Sequence, residues 1–377
     1  MFPPAVPGLA VQKIDTPALI IDLDAFEQNL HTMADELRGS GVHLRAHSKT
    51  HKSPIIAIKQ IALGACGICC QKVSEAEIFV QAGVHDILIS NEIVGQSKLG
   101  RLAALARQAK ITVCVDHPDN IRKLASAADK LGSRIHVLVE IDVGAGRCGV
   151  LPGRPALELV RVVQSFPALH FAGLQAYHGT AQHIRSAEER KRAIERTISL
   201  TVETAELLKG ESIDCDIISG GGTGTYEFEA SSGVFNEIQA GSYVFMDLDY
   251  SRNLQSDGRN YSRFQQSLFI YTTVMSTAKK GQVVVDAGLK SVSVDSGLPE
   301  PFDLASSTYT AASDEHGVLI TADGGVAPSL GDKILLVPGH CDPTVNLHDW
   351  YVGVRNLDGP HAYVESLWPV AARGCVF

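Results

Sequence analysis

Residues 86–142 read DILISNEIVGQSKLGRLAALARQAKITVCVDHPDNIRKLASAADKLGSRIHVLVEID, three β-branched runs separated by two long amphipathic segments. The runs DILIS (86–90), ITVCV (111–115) and IHVLVEID (135–142) have the length and composition of buried strands, and the segments between them are long enough for helices. Pro118 stands where the second helix would begin, a position at which proline's missing N–H costs nothing. This alternation predicts parallel strands joined by helical crossovers.

The same rhythm extends in both directions, from about residue 18 to 245. Further strands are expected at VHLRAH (42–47), GICCQ (67–71), LHFAGLQAY (169–177), CDIIS (215–219) and NEIQAG (236–241), which makes eight. Helix starts are marked by Ser53-Pro54, by Pro155, and by two capping boxes, Ser74 with Glu77 and Ser186 with Glu189, the second opening a helix that Gly210 stops. One more helix, DAFEQNLHTMADELRGSG (24–41), precedes the first barrel strand. Eight parallel strands in series close most economically as an α/β (β/α)8 TIM barrel, with its chemistry at the strands' C-terminal ends. An open doubly wound sheet is the alternative, but no G-x-G-x-x-G follows the first strand. Past residue 250, SLFIYTTVM, QVVVDAG, KILLVPG and AYVESLWPV are strand-like with no helices between them. The expected division is a barrel over 17–250 and a C-terminal all-β domain over 251–377, with 1–16 packing against the latter.

The 377 residues, 45% hydrophobic and 20% charged, suffice for one large core and a smaller neighbour. A formal charge of −9 without a basic stripe excludes a nucleic-acid partner. No run is apolar enough to span a bilayer, and MFPPAVPGLAVQKIDTP lacks the layout of a signal peptide, so a soluble, cytoplasmic protein is expected. The eight cysteines sit largely in apolar runs, where they pack as small hydrophobes, and no disulfide framework is indicated. Cys66 and Cys69 form a C-x-x-C, yet on a strand they point to opposite faces, which argues against zinc or redox use.

Four motifs carry chemistry. RAHSKTHK (45–52) puts Lys49 at a barrel mouth beside Arg45, His47 and His51, whose positive charge would help keep its amine neutral and nucleophilic; the alternative is a solvated basic turn. ISGGGTGTY (218–226) and QAGSY (239–243) follow the seventh and eighth strands, where glycine turns gather backbone N–H groups around a phosphate. EIDVGAGRCG (140–149) brings Arg147 to the mouth, as a donor to an oxyanion or as an ion pair with Asp142. PGHCDPT (338–344) sets His340 and Asp342 two apart, on one face of an extended segment, able to share a cation while Cys341 points away. One imidazole and one carboxylate favour magnesium or manganese over structural zinc, and a capped turn is the alternative.

Taken together, R-x-H-x-K-x-H-K, CCQKVSEAE, VEIDVGAGRCG, GLQAYHG, SGGGTG, QAGSYVFMD, DAGLK, DEHG and GHCDPT resemble the D-threonine aldolase group. That group includes the 3-hydroxy-D-aspartate aldolases and belongs to the alanine-racemase-like (fold type III) pyridoxal phosphate enzymes. The resemblance runs from about Asp15 to Gly374. It implies that Lys49 bears pyridoxal 5'-phosphate as a Schiff base, and that Gln71, Arg147 and Tyr177 face the cofactor ring. Gly221, Gly222, Thr223 and Gly224, with Gly241, Ser242 and Tyr243, would hold the phosphate, and His340 and Asp342 a divalent metal, with zinc or cobalt as further candidates.

Two departures bear on the reaction. Where racemases of this fold set an arginine against the pyridine nitrogen, this chain has Gln239; where D-serine dehydratase-like relatives carry a metal-binding cysteine, it has Asp342. The resemblance therefore implies a carbon–carbon lyase that cleaves D-β-hydroxy-α-amino acids to glycine and an aldehyde. The metal would bind the β-hydroxyl, and His183, His178 or a water on the metal would take its proton, with His183 placed first. Competing readings are a dehydratase or racemase with the same cofactor site, a non-catalytic pyridoxal phosphate carrier, and a metal-dependent hydrolase of the same architecture. A homodimer in which each β domain completes its partner's site is also implied.

Overall fold

The computed structural model describes residues 2–377. After β1 (Ala18–Asp22) and the helix Leu23–Leu37 come eight strands: β2 (His43–His47), β3 (Gly67–Cys70), β4 (Asp86–Glu92), β5 (Lys110–Val115), β6 (Ile135–Glu140), β7 (Leu169–Gln175), β8 (Ile217–Gly220) and β9 (Glu237–Ile238). They pair in chain order, all parallel, and close where His43 and Leu44 of β2 meet Glu237 and Ile238 of β9. The expected (β/α)8 barrel is what forms.

Strand alternation sorts the side chains. Ile87, Ile89, Ile111, Val113, Val137 and Val139 pack outward under the helices, while Cys69, Leu88, Cys114, Leu138 and Ala172 fill the barrel interior. The interior cysteines thus act as small hydrophobes, and all eight cysteines are free. Between Val137 and Leu138 the β6–β7 register slips by one residue, and Gly173 takes φ +146° there; a Cβ would run into the backbone of Ile217. Arg45 does not point at the mouth. It reaches into the barrel, with Nε 2.7 Å from Glu237 and Nη1 2.7 Å from Asp86.

The helix signals hold in part. Ser186 accepts from the N–H of Glu189 at 3.4 Å and opens Ala187–Gly210, and Pro54 and Pro118 each stand at the start of a helix. Asp22 caps Leu23–Leu37 with its carboxylate. The Ser74–Glu77 box is not formed. Its helix, Val73–Gln81, begins two residues earlier than a Ser74 cap would place it, Ser74 donates to the carbonyl of Phe377, Glu77 pairs with Arg101, and Glu75 instead accepts from the N–H of Gln71 at 2.9 Å.

The C-terminal sheet comprises β10 (Leu268–Lys279), β11 (Gln282–Val285), β12 (Glu300–Pro301), β13 (Ser307–Ala312), β14 (Gly317–Thr321), β15 (Lys333–Val337), β16 (Trp350–Arg355) and β17 (Tyr363–Pro369). Its order is β13-β14-β11-β10-β1-β16-β17, with β15 on β10 and β12. β1 therefore lies in this sheet although it falls within 17–250: Ala18 pairs with Tyr271 antiparallel, and Leu19 with Tyr351 in parallel. The reason is burial on both faces. Leu19 and Ile21 join one apolar cluster, and Ala18 and Ile20 another. Ahead of it, Ala10 bridges Tyr363 and Gly8 donates to Val364, so the first residues run along the sheet edge. No described helix is long and apolar enough to cross a membrane.

Candidate active site

A cavity of about 430 Å³ opens at the C-terminal ends of the barrel strands, facing the β domain. Lys49, Gln71, Arg147, Tyr177, His183, Gln239, Ser242 and His340 line it. The Lys49 amine, from the turn after β2, is ion-paired with Asp342 of the β domain. Residues expected to act together from six separate motifs thus meet in one space. Of the residues expected at the site, Gly221–Gly224, Gly241, Tyr243 and Asp342 do not line it; the Tyr243 ring packs on Phe264, its hydroxyl lies 3.0 Å from Gln60, and its backbone N–H is 3.0 Å from Thr223 Oγ1.

The electrostatics of Lys49 reverse the expectation from its basic neighbours. Arg45 is at the barrel floor, and burial pushes His51 down to about 3 and His47 well below its ordinary value, so both imidazoles are neutral. Enclosure of the Lys49 amine disfavours its charge, but Asp342 and Tyr177 outweigh that and hold its pKa above the ordinary lysine range. Asp342, buried against Lys49 and His340, is in turn held low. Gln71 lies 2.9 Å from both His47 Nε2 and Ser90 Oγ, which fixes its amide at the rim.

The two glycine loops fit a phosphate-bearing cofactor because they admit no side chain. A Cβ on Gly222 would lie 2.5 Å from Gln182 Oε1 and 3.2 Å from the Tyr177 hydroxyl, and one on Gly241 would lie 2.7 Å from Thr50 Oγ1. The Thr50 hydroxyl is buried with no hydrogen-bond partner among the described residues, an orphan that an added acceptor would satisfy. Behind the loop, Gly224 donates to Gln182 Oε1 at 3.0 Å, Gln182 donates to Thr225 at 2.8 Å, and Thr225 donates to Glu229 at 2.9 Å. Burial pushes the carboxyl of Glu229 up to about 7. Gln239 is held by Gln175 at 2.6 Å and Ser219 at 2.8 Å, an uncharged setting for a ring nitrogen. Asp142 accepts from the N–H groups of Gly144 and Gly146 at 3.0 Å, and among the described residues Arg147 enters no ion pair, leaving its donors to the cavity.

The metal motif has a different local geometry from the extended segment expected. His340 is extended at the N-cap of a short helix, Cys341–Val345, and Asp342 lies in its first turn. Cys341 is buried in the apolar cluster beneath, yet its thiol does not turn away from the pair as expected: Sγ lies 3.4 Å from Asp342 Oδ1. Asp247, fully buried, accepts from the N–H of Cys341 at 2.9 Å and pins the turn. Asp295 lies 2.8 Å from His340 Nδ1, which leaves Nε2 for a cation. A second group, Glu92, Asp116 and Cys148, brings ligand atoms within 4.8 Å of one another beside the barrel mouth. None of Asp295, Asp247, Gln182 and Glu229 was visible in the sequence: the first three act on partners more than 40 residues away, and Glu229 reaches the loop only through Thr225.

The two candidate histidine bases separate. His178 turns to the 142–146 loop, so close to Gly144 that a Cβ there would lie 2.6 Å from its Nε2, and it does not line the cavity. His183 does line it, with Nδ1 2.5 Å from Asp249 Oδ2.

The chain is similar to known proteins along nearly its whole length. Residues 21–249 match the model of the alanine racemase N-terminal domain, and 267–354 that of a putative serine dehydratase domain. The chain is 50% identical to a D-threonine aldolase of Arthrobacter sp., over 99% of this chain and 96% of that one. It is 47% identical to a 3-hydroxy-D-aspartate aldolase of Paracoccus denitrificans, over 98% and 95%. The crystal structure of D-threonine aldolase from Filomicrobium marinum superposes with a TM-score of 0.95 at 50% identity, covering 99% of this chain and all of that one.

Proposed function

From the premise that this chain belongs to the alanine racemase N-terminal-domain family, and within it to the D-threonine aldolase and 3-hydroxy-D-aspartate aldolase group, we propose that it cleaves D-β-hydroxy-α-amino acids to glycine and an aldehyde. It is a carbon–carbon lyase. The observation that carries the reading is the meeting of Lys49, Arg147, Tyr177, Ser242 and His340 around one cavity, with Asp342 paired to Lys49.

Pyridoxal phosphate, when bound, takes up the electron pair left on Cα as the Cα–Cβ bond breaks. Lys49 would hold it covalently, the loops at Gly221–Gly224 and Gly241–Ser242 would seat its phosphate, and Gln71, Arg147, Tyr177 and Gln239 would fix the ring. His340 and Asp342 would hold magnesium or manganese, a Lewis acid for the β-hydroxyl. Asp342 pairs with Lys49 here, so it stands where an amine and a cation both draw on one carboxylate. His183 accepts the β-hydroxyl proton, the hydroxyl carbon becomes the aldehyde carbonyl, and glycine leaves after Cα is reprotonated.

A carboxylate at 342, in place of a thiolate, favours hard oxygen-binding cations and the aldol reading over dehydration. The eight free cysteines suit a reducing cytoplasm. A homodimer is supported by the exposure of Val94 (61%) and Leu151 (71%) on loops at the barrel mouth, which a second copy would cover.

The test is a panel of D-β-hydroxy amino acids, assayed with and without chelator. Metal-dependent glycine release from D-threonine or 3-hydroxy-D-aspartate is the expected result. Ammonia with an oxo acid, or an L-enantiomer, would replace the aldolase with a dehydratase or a racemase.

A further inference from the structure

His183 closes the 3-10 turn Gly179–His183, and Asp249 sits in the short helix Leu248–Ser251 on the far side of the cavity wall. The two carboxylate oxygens of Asp249 have different partners. Oδ2 faces His183 Nδ1 at 2.5 Å, and Oδ1 takes the Nη2 donor of Arg185. Arg185 is itself held in place, with Nη1 2.7 Å from Asn253 Oδ1 and 2.5 Å from the Asp249 carbonyl. The side chain of Asp249 is only 8% exposed, whereas that of His183 is 50% exposed at the cavity.

We infer that Asp249 is the positioning residue that sets the tautomer of His183, keeping its proton on Nδ1 so that Nε2 presents a lone pair to the substrate. A carboxylate can only accept, so the nitrogen facing it must carry the hydrogen. The other nitrogen is then free to take a proton. Arg185 and the imidazole between them keep Asp249 ionised, its pKa held at about 2 against the cost of burial. The inference rests on the reading of His183 as base, but it makes a separate claim about where the proton sits beforehand.

The asymmetry of the two oxygens makes the claim testable. In Asp249→Asn the arginine still demands an acceptor at the Oδ1 position, so the amide oxygen goes there and the NH2 group faces His183. Nδ1 must now accept, and the ring proton moves to Nε2. The shape of the site is kept while the base is disarmed. The same aspartate-to-asparagine change in the serine-protease triad costs about 10⁴-fold through the wrong tautomer, and a loss of roughly 10²–10⁴-fold in kcat is expected here, with cofactor loading and KM little changed.

The measurement is nitrogen NMR of the holoenzyme carrying ¹⁵N-histidine, with His183 identified by its absence from His183→Gln. Wild type should show an Nδ1–H tautomer and Asp249→Asn an Nε2–H tautomer. Asp249→Asn combined with Arg185→Ala, which frees the amide to turn over, should return the Nδ1–H form and part of the activity. An Nε2–H tautomer in the wild type, or an unchanged tautomer in Asp249→Asn, overturns the inference, and the wild-type spectrum alone decides it if the variants do not fold. A tautomer that flips with no loss of kcat upholds the positioning role and removes His183 as the base.

Discussion

Asp342 and Lys49 face each other across the seam between the β domain and the barrel, and each shifts the other's charge state: the carboxylate is held low and the amine high. The partner of the reactive amine is therefore also a candidate metal ligand, and neither half of the molecule builds the site alone.

Lys49→Ala should abolish the visible absorption of bound pyridoxal phosphate and lower turnover by roughly three orders of magnitude or more. Lys49→Arg keeps a cation opposite Asp342 but cannot form the covalent link. It should lose the absorption band while keeping the wild-type melting temperature, and a spectrum that survives in either variant would move the cofactor elsewhere.

The bond from His340 to Asp295 should govern metal affinity without touching the cofactor. Asp295→Ala is expected to weaken binding of magnesium or manganese by about 10–100-fold. Activity titrated against metal concentration should shift by that factor and recover at saturation; loss of maximal activity with an unchanged titration midpoint would assign Asp295 another role.

Glu229 carries a pH signature in stability. Its pKa rises from 4.5 to about 7 on folding because its carboxyl is buried, so between those values the folded chain binds more protons than the unfolded one and stability falls as pH rises. Glu229→Gln removes that titration. At pH 8 it should be more stable than wild type by up to about 3 kcal/mol, and near pH 4 little different, in urea unfolding of the holoenzyme. An equal effect at both pH values would show that the carboxyl is not the cause.

Gly241→Ala places a Cβ 2.7 Å from Thr50 Oγ1 and 2.8 Å from the His47 carbonyl. Such overpacking costs about 1–3 kcal/mol, and cofactor affinity, read by fluorescence titration, should fall by roughly 10–100-fold. Wild-type affinity in this variant would show that the loop does not seat the phosphate.

The barrel was legible because its strands are buried on both faces and read as continuous apolar runs, such as Ile111–Val115. The motifs that meet at the cavity were legible for a related reason, since each follows a strand whose C-terminal end the fold fixes. The role of Arg45 was misread: it shares a strand face with His47, two residues on, but sits lower along β2, where Glu237 and Asp86 at the N-terminal ends of their strands hold its guanidinium. β1 was missed as a sheet strand because ALIID gives no sign of which partners it pairs with. β13 alternates buried and exposed residues in a short run of mostly threonine, serine and alanine, so its apolar signal is weak.

With β1 set between β10 and β16, the polypeptide starts in the sheet, leaves it to wind the barrel, and comes back to the same sheet. The barrel is in effect an insertion tethered at both ends to one support. A single protease nick in either connection would leave the fragments zipped together through β1, and any swing of the two bodies that parted Lys49 from Asp342 would have to bend both connections at once.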